Sequence, residues 1–382
     1  MPAVHSICIA SAYYPPHMGG VEVFTQSIAR ELVSRGLRVT VVTNGIDETG
    51  ITEDSDGVEV FRMPAKDPTG RMPLLDRGVA AKQLWSILED RAFDAYVVNT
   101  RFYPLSLRML SLAHRKGVQP ILIEHGSAYL TLGNPALDLG IRGYEDAIGA
   151  KIRTCDPACY GVSREAGAWM ANFGLAAKGT IHNSIDVPAF CEMSSDRDYR
   201  AEFNIPNDAM LVAFTGRLIV EKGIWTLAEI ARVLDREGFY FFVAGDGPEF
   251  QKLSACKPGN MKLLGRLDRA DVSALLKQAD VFCFPSAYPE GLPTSLLEAA
   301  ACEDFIVTAS VAGAAEIVPS PDYGTVLDEV SVDSFVAALR DARADSQKRH
   351  EIASRCKRYV AEEFCWSKAA DDLLAACAGE GR

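Results

Sequence analysis

The chain has 382 residues, of which 48% are hydrophobic and 24% charged, and its formal net charge is −12. This balance is typical of a globular enzyme, and the length is sufficient for two domains. No apolar run approaches the ~20 residues that a membrane-spanning helix needs. The net charge is −1 over residues 1–180 and −11 over the remainder; because no basic stripe appears, we expect no nucleic-acid partner.

Cysteine usage and the N-terminus indicate a reducing compartment. The ten cysteines are scattered, and Cys8 and Cys283 lie inside apolar runs, as reduced core thiols do. Cys155 and Cys159 form one close pair, and no second pair completes a zinc site. The N-terminus has no basic region followed by a small-residue cleavage site, so we expect a cytoplasmic protein. Peripheral contact with the inner face of the membrane is open to the less acidic first half.

Apolar strands alternate with helices along the first half of the chain. Phe24, Ile28 and Leu32 recur every four residues, which predicts an amphipathic helix that ends at Gly36. Apolar strands without polar alternation, separated by helices, predict a parallel sheet covered on both faces. The predicted strands are 5–11, 37–43, 94–99, 119–125 and 158–163, and further helices are predicted around 105–116 and from Arg164.

A polar segment, 191–208, precedes a second series of the same kind. We therefore expect two doubly wound domains with a linker near 185–200. The carboxyl ends of two such sheets are expected to face each other across a cleft that binds a ligand. The predicted strands are 210–216, 239–247, 261–265, 279–286, 305–310 and 325–328; helices are predicted over 225–237 and 270–279, and two or three more at the C-terminus.

The segment YPEGLPTSLLEAA, residues 288–300, places Glu290 before a predicted helix and Glu298 about one turn into it. Pro293 suits the first helical position, and the preceding Leu292 cannot cap the helix with its side chain. Uncapped N–H groups form a seat for phosphate, and two carboxylates can bind the hydroxyls of a ligand between them. The alternative is an ordinary surface helix start.

Two further loops follow predicted strands. In GRLIVEKG, residues 216–223, Arg217 and Lys222 would neutralise a pyrophosphate; the alternative is two solvated loop cations. In YYPPHMGGVE, residues 13–22, Gly19 and Gly20 open a helix and allow close approach to a ligand. The alternative there is an ordinary turn. Neither GxGxxG nor GxxxxGK[ST] occurs, so dinucleotide and P-loop fingerprints are absent.

One histidine and one aspartate complete the set of candidate residues. His125 ends the apolar run QPILIEH, where it could meet a ligand or be a satisfied core residue. In VAGDGP, residues 243–248, Asp246 and Gly247 are predicted to form the tip of a turn.

Taken together, these motifs resemble the retaining glycosyltransferases of the GT-B type, the glycogen-synthase-like group with family 4 members. The matching features run in family order along most of the chain: the Gly19–Gly20 loop, His125–Gly126, GVS at 161–163, NSID at 183–186, Arg217 with Lys222, and Glu290 with Glu298. Ser184 departs from the family, which often has glycine there, and this puts the local turn in doubt. The resemblance implies an α/β GT-B fold, with two Rossmann-like domains facing across a cleft.

The resemblance also assigns domains. Residues 1–186 would bind the acceptor, residues 187–361 the nucleotide sugar, and the C-terminal helix, about 362–382, would pack back on the first domain. His125, Arg217, Lys222 and Glu290 would be catalytic. His125 would contact the donor sugar from the first domain. The implied donor-binding residues are Gly19, Gly20, Gly216, Arg217, Lys222, Glu290, Gly291, Leu292, Pro293, Thr294 and Glu298.

Within that set, Arg217 and Lys222 would hold the diphosphate, Glu298 the ribose and Glu290 the sugar. The implied reaction needs no cofactor and no metal, because cations and helix dipoles stabilise the leaving diphosphate. Asp196 and Asp198 spell the Asp-x-Asp that binds manganese in another class of transferase, but they lie in the polar linker and are expected to be solvated. No nucleophile is evident, so retention would follow from attack on the face that the diphosphate leaves. A donor phosphate oxygen would take the acceptor's proton.

The expected partners are a nucleoside-diphosphate sugar, UDP-linked in preference to GDP-linked, and a hydroxyl acceptor. That acceptor would be a sugar, a glycolipid or a small molecule, in the synthesis of cell-surface polysaccharide or another glycoconjugate. Two alternatives remain: an epimerase acting at C2 of a nucleotide sugar, which would release free epimerised sugar without an acceptor, and a regulator that binds nucleotide sugars without turnover.

Overall fold

The computed structural model describes residues 4–17, 19–131 and 135–379, and the chain forms two compact units. The first contains the residues up to Asn183 together with those from Trp366 onward, and the second is Ser184–Cys365. Among the described residues, no helix combines the length and the apolar character needed to cross a membrane.

The sheet of the first unit has nine strands among the described residues. They are β1 (Ser6–Ala10), β2 (Arg38–Gly45), β3 (Gly50–Glu53), β4 (Glu59–Lys66), β5 (Leu74–Leu75), β6 (Ala95–Asn99), β7 (Ile121–Glu124), β8 (Ala158–Gly161) and β9 (Ala177–Thr180). Their order is β3-β4-β2-β1-β6-β7-β8-β9, with β5 beside β4. All five residues of β1 are buried, as its uninterrupted apolar sequence predicts.

The helices of the first half are α1 (Gly20–Ser34), α2 (Val79–Glu89), α3 (Pro104–Arg115), α4 (Pro135–Arg153) and α5 (Arg164–Trp169), and a 3₁₀ turn follows at Met170–Phe173. In α1, Phe24, Ile28 and Leu32 are buried on one face. The chain leaves this helix through Gly36, whose φ of 85° lies in the left-handed region that favours glycine.

The second unit has a six-stranded parallel sheet. Its strands are β10 (Met210–Thr215), β11 (Phe239–Ala244), β12 (Met261–Gly265), β13 (Val281–Phe284), β14 (Phe305–Ala309) and β15 (Thr325–Leu327), in the order β12-β11-β10-β13-β14-β15. Its helices are α6 (Val187–Glu192), α7 (Tyr199–Glu202), α8 (Ile224–Val233), α9 (Phe250–Cys256), α10 (Arg269–Leu276), α11 (Thr294–Ala301), α12 (Ala314–Ile317), α13 (Val332–Ala344) and α14 (Ser346–Glu363). A 3₁₀ turn covers Val220–Lys222.

Two details differ from the sequence-based expectation. The first sheet is not wholly parallel, because β3 and β5 both run antiparallel to β4. From Phe61 to Ala65 of β4, buried and half-buried residues alternate, as they do in strands that are covered unevenly near a sheet edge. The segment expected as a linker, 185–200, is folded: it contains α6 and the start of α7, whose N-caps are the aspartates Asp186 and Asp198.

The last helix, α15 (Trp366–Cys377), belongs to the first unit and packs against α1. The Trp366 ring lies edge-on to Phe24 with centroids 5.8 Å apart. Arg35 donates to the Asp371 carboxylate at 2.5 Å and to the Ser367 carbonyl at 2.7 Å. Apolar packing and charge together therefore attach the end of the chain to this unit.

Each sheet has one point at which the direction of strand addition reverses. In the first unit the reversal lies between β1 and β6, and in the second between β10 and β13. Parallel sheets of this kind bind ligands outside the carboxyl ends of the strands at such a point. The loops that follow these four strands carry most of the residues that the sequence singles out.

Candidate active site

The loop after β10 carries two cations in different environments. Gly216 donates its N–H to the Ala244 carbonyl at 3.0 Å, which fixes the loop's start. Arg217 is exposed, and among the described residues its guanidinium makes no ion pair or hydrogen bond. Lys222 differs, since only 16% of its side chain is exposed and its ammonium is paired with the Glu290 carboxylate. Of the two cations, only Arg217 is a solvated loop residue.

The loops after β10 and β13 are fastened together next to this pair. Gly223 has φ 72°, and a Cβ there would lie 1.9 Å from the Pro285 carbonyl oxygen, so only glycine fits. The Ala287 N–H donates to the Glu221 carbonyl at 2.8 Å. The Lys222 ammonium also lies 5.2 Å from the Phe284 ring centroid and 5.3 Å from that of Tyr288. These contacts position Lys222 beside Glu290 although 68 residues separate them.

The helix after β13 begins one residue later than the sequence predicts. Thr294 is its first residue, and Pro293 is the N-cap with extended backbone and no side-chain cap. Leu292 therefore precedes the cap, and its side chain is buried against Gly313. The fixed φ of proline is also compatible with the N-cap position. The helix therefore begins one residue later than predicted, and among the described residues its N-terminus still lacks a side-chain cap. In the part of the chain that the structure describes, α11 has no side-chain hydrogen bond at its N-cap, and this helix start follows Glu290 and Gly291.

Glu298 lies one turn into α11 and is partly buried. Burial raises the pKa of its carboxyl to about 7, and the charge of Arg269 at the start of α10 opposes the shift. A carboxyl with such a pKa is close to half-ionised at neutral pH and can accept or donate a hydrogen bond. Raised pKa values of this origin cluster at functional sites.

A third loop of the second unit, after β11, is tied to the first of these loops. Asp246 accepts from the Gly247 N–H at 2.7 Å, and the two residues form a turn as the sequence predicts. The Leu218 N–H donates to the Asp246 carbonyl at 2.9 Å. Trp225 donates through its indole N–H to Glu249 at 3.0 Å. The carboxyl ends of β10 and β11 are therefore held as one surface.

In the first unit, α1 begins at Gly20 with Gly19 as an extended N-cap, so the glycine pair opens this helix. Within the described residues, no side chain caps α1 through a hydrogen bond. The Glu22 carboxylate lies in the first turn, 5% exposed, and is 2.8 Å from His17 Nδ1. This carboxylate already contributes negative charge at the helix N-terminus, which reduces the attraction of that terminus for a phosphate.

His125 follows β7 and is partly buried. Its Nε2 lies 3.0 Å from Asn99 Oδ1, and the Phe24 ring stands edge-on to the imidazole with centroids 4.8 Å apart. Burial lowers the pKa of His125 to about 3, so the ring is neutral at physiological pH. The residue lies at the carboxyl end of its strand, as the sequence predicts.

Other motif residues have structural tasks. Ser163 caps α5 by accepting from the Ala166 N–H at 3.1 Å, and Asp186 caps α6 through the Ala189 N–H at 2.9 Å. Asp198 caps α7, and Asp196 is exposed. Across the described residues, no group of three or more His, Cys, Asp or Glu side chains is arranged to hold a metal ion. The independence from metal that the resemblance implies stays a prediction.

Sequence reasoning missed several charged and polar residues next to the candidates. Arg269 was not singled out, although it is the charge that acts on Glu298. In the first unit it missed Asn99, Arg101, Glu124 and Glu145, all at most 1% exposed. Asn99 and Glu124 do carry a signal, because each is a polar residue that ends a buried apolar strand.

Comparison with known proteins agrees with this arrangement. A family model described as Glycosyl transferases group 1 matches residues 195–359, and one described as Glycosyltransferase Family 4 matches residues 18–188. A human relative, one of the subunits of phosphatidylinositol N-acetylglucosaminyltransferase, is 24% identical over 88% of this chain and 68% of its own.

Two solved structures share the fold. Sucrose-phosphate synthase from Thermosynechococcus elongatus has a TM-score of 0.76 at 17% identity, covering 98% of both chains. The Anabaena protein HepE, in complex with UDP and glucose, has a TM-score of 0.69 at 16% identity, covering 98% of this chain and 100% of its own. The chain therefore belongs to the family 4 type of glycosyltransferases and has the GT-B fold, which confirms the predicted fold class and enzyme class.

Proposed function

We propose that this glycosyltransferase moves a sugar from a nucleoside-diphosphate sugar to a hydroxyl acceptor with retention of the anomeric configuration. The carrying observation is that Lys222 and Glu290 are paired beside the uncapped N-terminus of α11. Both lie where the strand order of the second sheet reverses. A cation, a carboxylate and a helix N-terminus without a side-chain cap are what a diphosphate joined to a sugar requires.

The diphosphate would bind to the cations and the helix N-terminus. Arg217 is exposed and without an ion pair among the described residues, so it is available to a ligand at no cost in lost partners. Lys222 would transfer its contact from Glu290 to the diphosphate. Glu290 would then accept from hydroxyls of the donor sugar, and this exchange keeps both partly buried charges compensated in each state.

The ribose is assigned to Glu298. Glu298 lies one turn into α11, further along the helix than the N-terminus that is proposed to bind phosphate. Vicinal hydroxyls can donate two hydrogen bonds to one carboxylate. Since burial raises the pKa of Glu298 to about 7, such donation would stabilise the ionised form and lower that pKa when the donor binds.

The donor base and the acceptor are proposed from relatives. UDP is favoured over GDP, in line with the UDP found in the Anabaena protein that shares this fold. The human relative's name describes transfer of N-acetylglucosamine to phosphatidylinositol, which supports a glycolipid or glycoconjugate acceptor. A role in cell-surface polysaccharide synthesis, the acceptor role of the first unit, the cytoplasmic location and peripheral membrane contact remain predictions.

Retention is proposed from the resemblance to retaining transferases, and attack on the same face is proposed because no carboxylate is assigned as a nucleophile at the sugar's anomeric carbon. As that carbon becomes oxocarbenium-like, the departing diphosphate gains charge that Arg217, Lys222 and the start of α11 stabilise. The acceptor hydroxyl would attack from the face that the diphosphate leaves, and a phosphate oxygen of the donor would take its proton.

A ligand screen followed by product analysis tests the proposal. UDP-, GDP-, ADP- and TDP-sugars are compared by thermal shift, and the best donor is then incubated with an acceptor panel. NMR of the product should show the anomeric configuration of the donor. An inverted product would disprove retention, and free epimerised sugar released without acceptor would show an epimerase.

A further inference from the structure

Three consecutive buried residues stand at the carboxyl end of β6, the first of them being its last residue, and the middle one is strained. Asn99, Thr100 and Arg101 are 0%, 5% and 1% exposed. Thr100 has φ 64°, in the left-handed region that β-branched residues rarely adopt. Its N–H nevertheless donates to the Ile123 carbonyl of β7 at 2.8 Å. Strain of this kind persists where the surroundings over-determine it, and it concentrates at functional sites.

Asn99 is held in one orientation by a directional chain of hydrogen bonds. The Thr25 hydroxyl donates to the Val21 carbonyl at 2.7 Å. Its oxygen therefore accepts from the Asn99 amide nitrogen, which lies 2.9 Å away. This leaves Asn99 Oδ1 facing His125 Nε2 at 3.0 Å. An amide oxygen only accepts, so the proton of the neutral imidazole must lie on Nε2.

Nδ1 of His125 then carries a lone pair. Among the described residues Nδ1 has no hydrogen-bond partner. Flipping the Asn99 amide would require the Thr25 hydroxyl to abandon the Val21 carbonyl, leaving that interaction unmade. The chain of hydrogen bonds that begins at Val21, in the first turn of α1, thus determines which nitrogen of His125 can accept a hydrogen bond.

Arg101 fixes the backbone around the same histidine. Its guanidinium donates to Glu124 Oε2 and to Glu145 Oε2, each at 2.5 Å. Glu124 Oε1 accepts from the His125 N–H at 3.2 Å, and Glu145 Oε1 accepts from the Leu130 N–H at 2.8 Å. One buried arginine therefore anchors, through two carboxylates, both ends of the segment 125–130.

The guanidinium is itself immobilised. It lies 3.7 Å from the centroid of the Phe173 ring, and such stacking of a desolvated arginine on an aromatic face is favourable. Two carboxylates share this one cation in a buried site, and burial raises the pKa of Glu145 to about 7. Removing Arg101 would leave two buried carboxylates uncompensated, which is strongly destabilising. Asn99 is for that reason the better residue to test.

We propose that Asn99 and Arg101 are positioning residues for His125: Asn99 holds the imidazole with its proton on Nε2, so that Nδ1 accepts a hydrogen bond from a hydroxyl of the donor sugar, and Arg101 holds its backbone. The contact with the donor sugar rests on the proposed function together with the role of His125 that the resemblance implies. The strained residue Thr100 lies between these two positioning residues in the chain.

The test is the protonation state of His125, read by NMR on protein labelled with ¹⁵N at histidine. The His125 signals are identified by their loss in His125→Gln. The wild type should show a protonated Nε2 and an unprotonated Nδ1 at pH 7. A proton on Nδ1 would overturn the proposal without any variant being needed.

Two variants extend the test. Asn99→Asp places a carboxylate against Nε2 and should raise the pKa of His125, so that the ring titrates at higher pH than in the wild type. Thr25→Val removes the acceptor of the Asn99 amide and should allow the other tautomer to appear. An unchanged His125 spectrum in both folded variants would refute the positioning role. Asn44→Asp is the control, because Asn44 is a buried asparagine of the same unit that donates to the Ala12 carbonyl.

Kinetics separate this proposal from the proposed function. Asn99→Asp should slow transfer by about 10- to 100-fold, the scale of a misplaced contact at a reacting ligand, while leaving the affinity for free UDP unchanged. If His125→Gln transfers at the wild-type rate, the assignment of His125 to the donor is wrong. His125→Gln could instead be impaired while the tautomer of His125 is the same in the wild type and in the Asn99 variant. In that case only the positioning role is wrong.

Discussion

Because Lys222 is paired with Glu290 and Arg217 is exposed, we expect replacing these two cations of one loop to have different effects on the free energy of unfolding. The Lys222 and Glu290 side chains are 16% and 13% exposed, so Lys222→Ala takes a hydrogen-bonded cation away from a mostly buried carboxylate. Losing a hydrogen bond to a charged group costs ~1.5–3 kcal/mol, and we expect Lys222→Ala to lower the free energy of unfolding by that amount. Arg217→Ala removes an exposed charge and should change it by no more than ~0.5 kcal/mol.

Both substitutions should impair catalysis. Each removes one preorganised charge from the leaving diphosphate, which corresponds to about 10²–10³-fold in transfer rate. The double variant should lose less than the product of the two, because both charges act on one developing anion.

Urea unfolding and transfer kinetics are measured on the same preparations. Adding Glu290→Ala to Lys222→Ala should recover ~1 kcal/mol or more of the lost stability, since the mostly buried carboxylate is then removed together with its cation. Costs that add to within ~0.5 kcal/mol would show that the pair is not coupled. Wild-type transfer rates in Arg217→Ala and Lys222→Ala would remove both residues from the site.

Four further expectations follow from other parts of the chain. Glu298→Ala should weaken binding of donor and free nucleoside diphosphate alike, whereas Glu290→Ala should reduce turnover and spare diphosphate affinity; calorimetry compares them. Transfer should persist in EDTA, and a loss restored by manganese would make Asp196 and Asp198 ligands after all. Burial raises the pKa of Asp304 well above its usual range, so the folded state retains a proton that the unfolded chain releases above its own pKa of about 4; urea unfolding should therefore show stability falling as pH rises above that value, and less so in Asp304→Asn. Arg35→Ala should increase hydrogen exchange in 366–377 without changing exchange in the second unit, because it releases the contacts to α15.

The strands were predictable because uninterrupted apolar residues indicate that a strand is buried. Apolar runs such as residues 210–215 and 281–284 are fully buried, and no local preference competes with that signal. The edge of the first sheet was less accessible, since β4 pairs antiparallel with two short strands whose residues are mostly exposed. Long-range pairing of short strands leaves little pattern in a single sequence.

Within the site, residue types were predictable and their contacts were not. Lys222 and Glu290 could be selected from the loops that carry them, but their mutual pairing depends on how Gly223 meets Pro285. The turn at Thr100 could not be predicted for another reason. A left-handed backbone conformation is usually indicated by glycine or asparagine in the sequence, and threonine gives no such indication. The partners of His125 were therefore missed together with the turn that directs them.

Binding of the donor's diphosphate by the second unit, through Arg217, Lys222 and the start of α11 with Glu298 on the ribose, is the proposal on which the others depend. Calorimetric titration of UDP in EDTA into the wild type, Arg217→Ala and Glu298→Ala decides it. We expect binding to the wild type and an affinity about tenfold or more weaker in each variant, the loss of roughly one charge-assisted contact. Equal affinities in all three proteins, or no UDP binding without metal, would show that the diphosphate and ribose assignments are wrong.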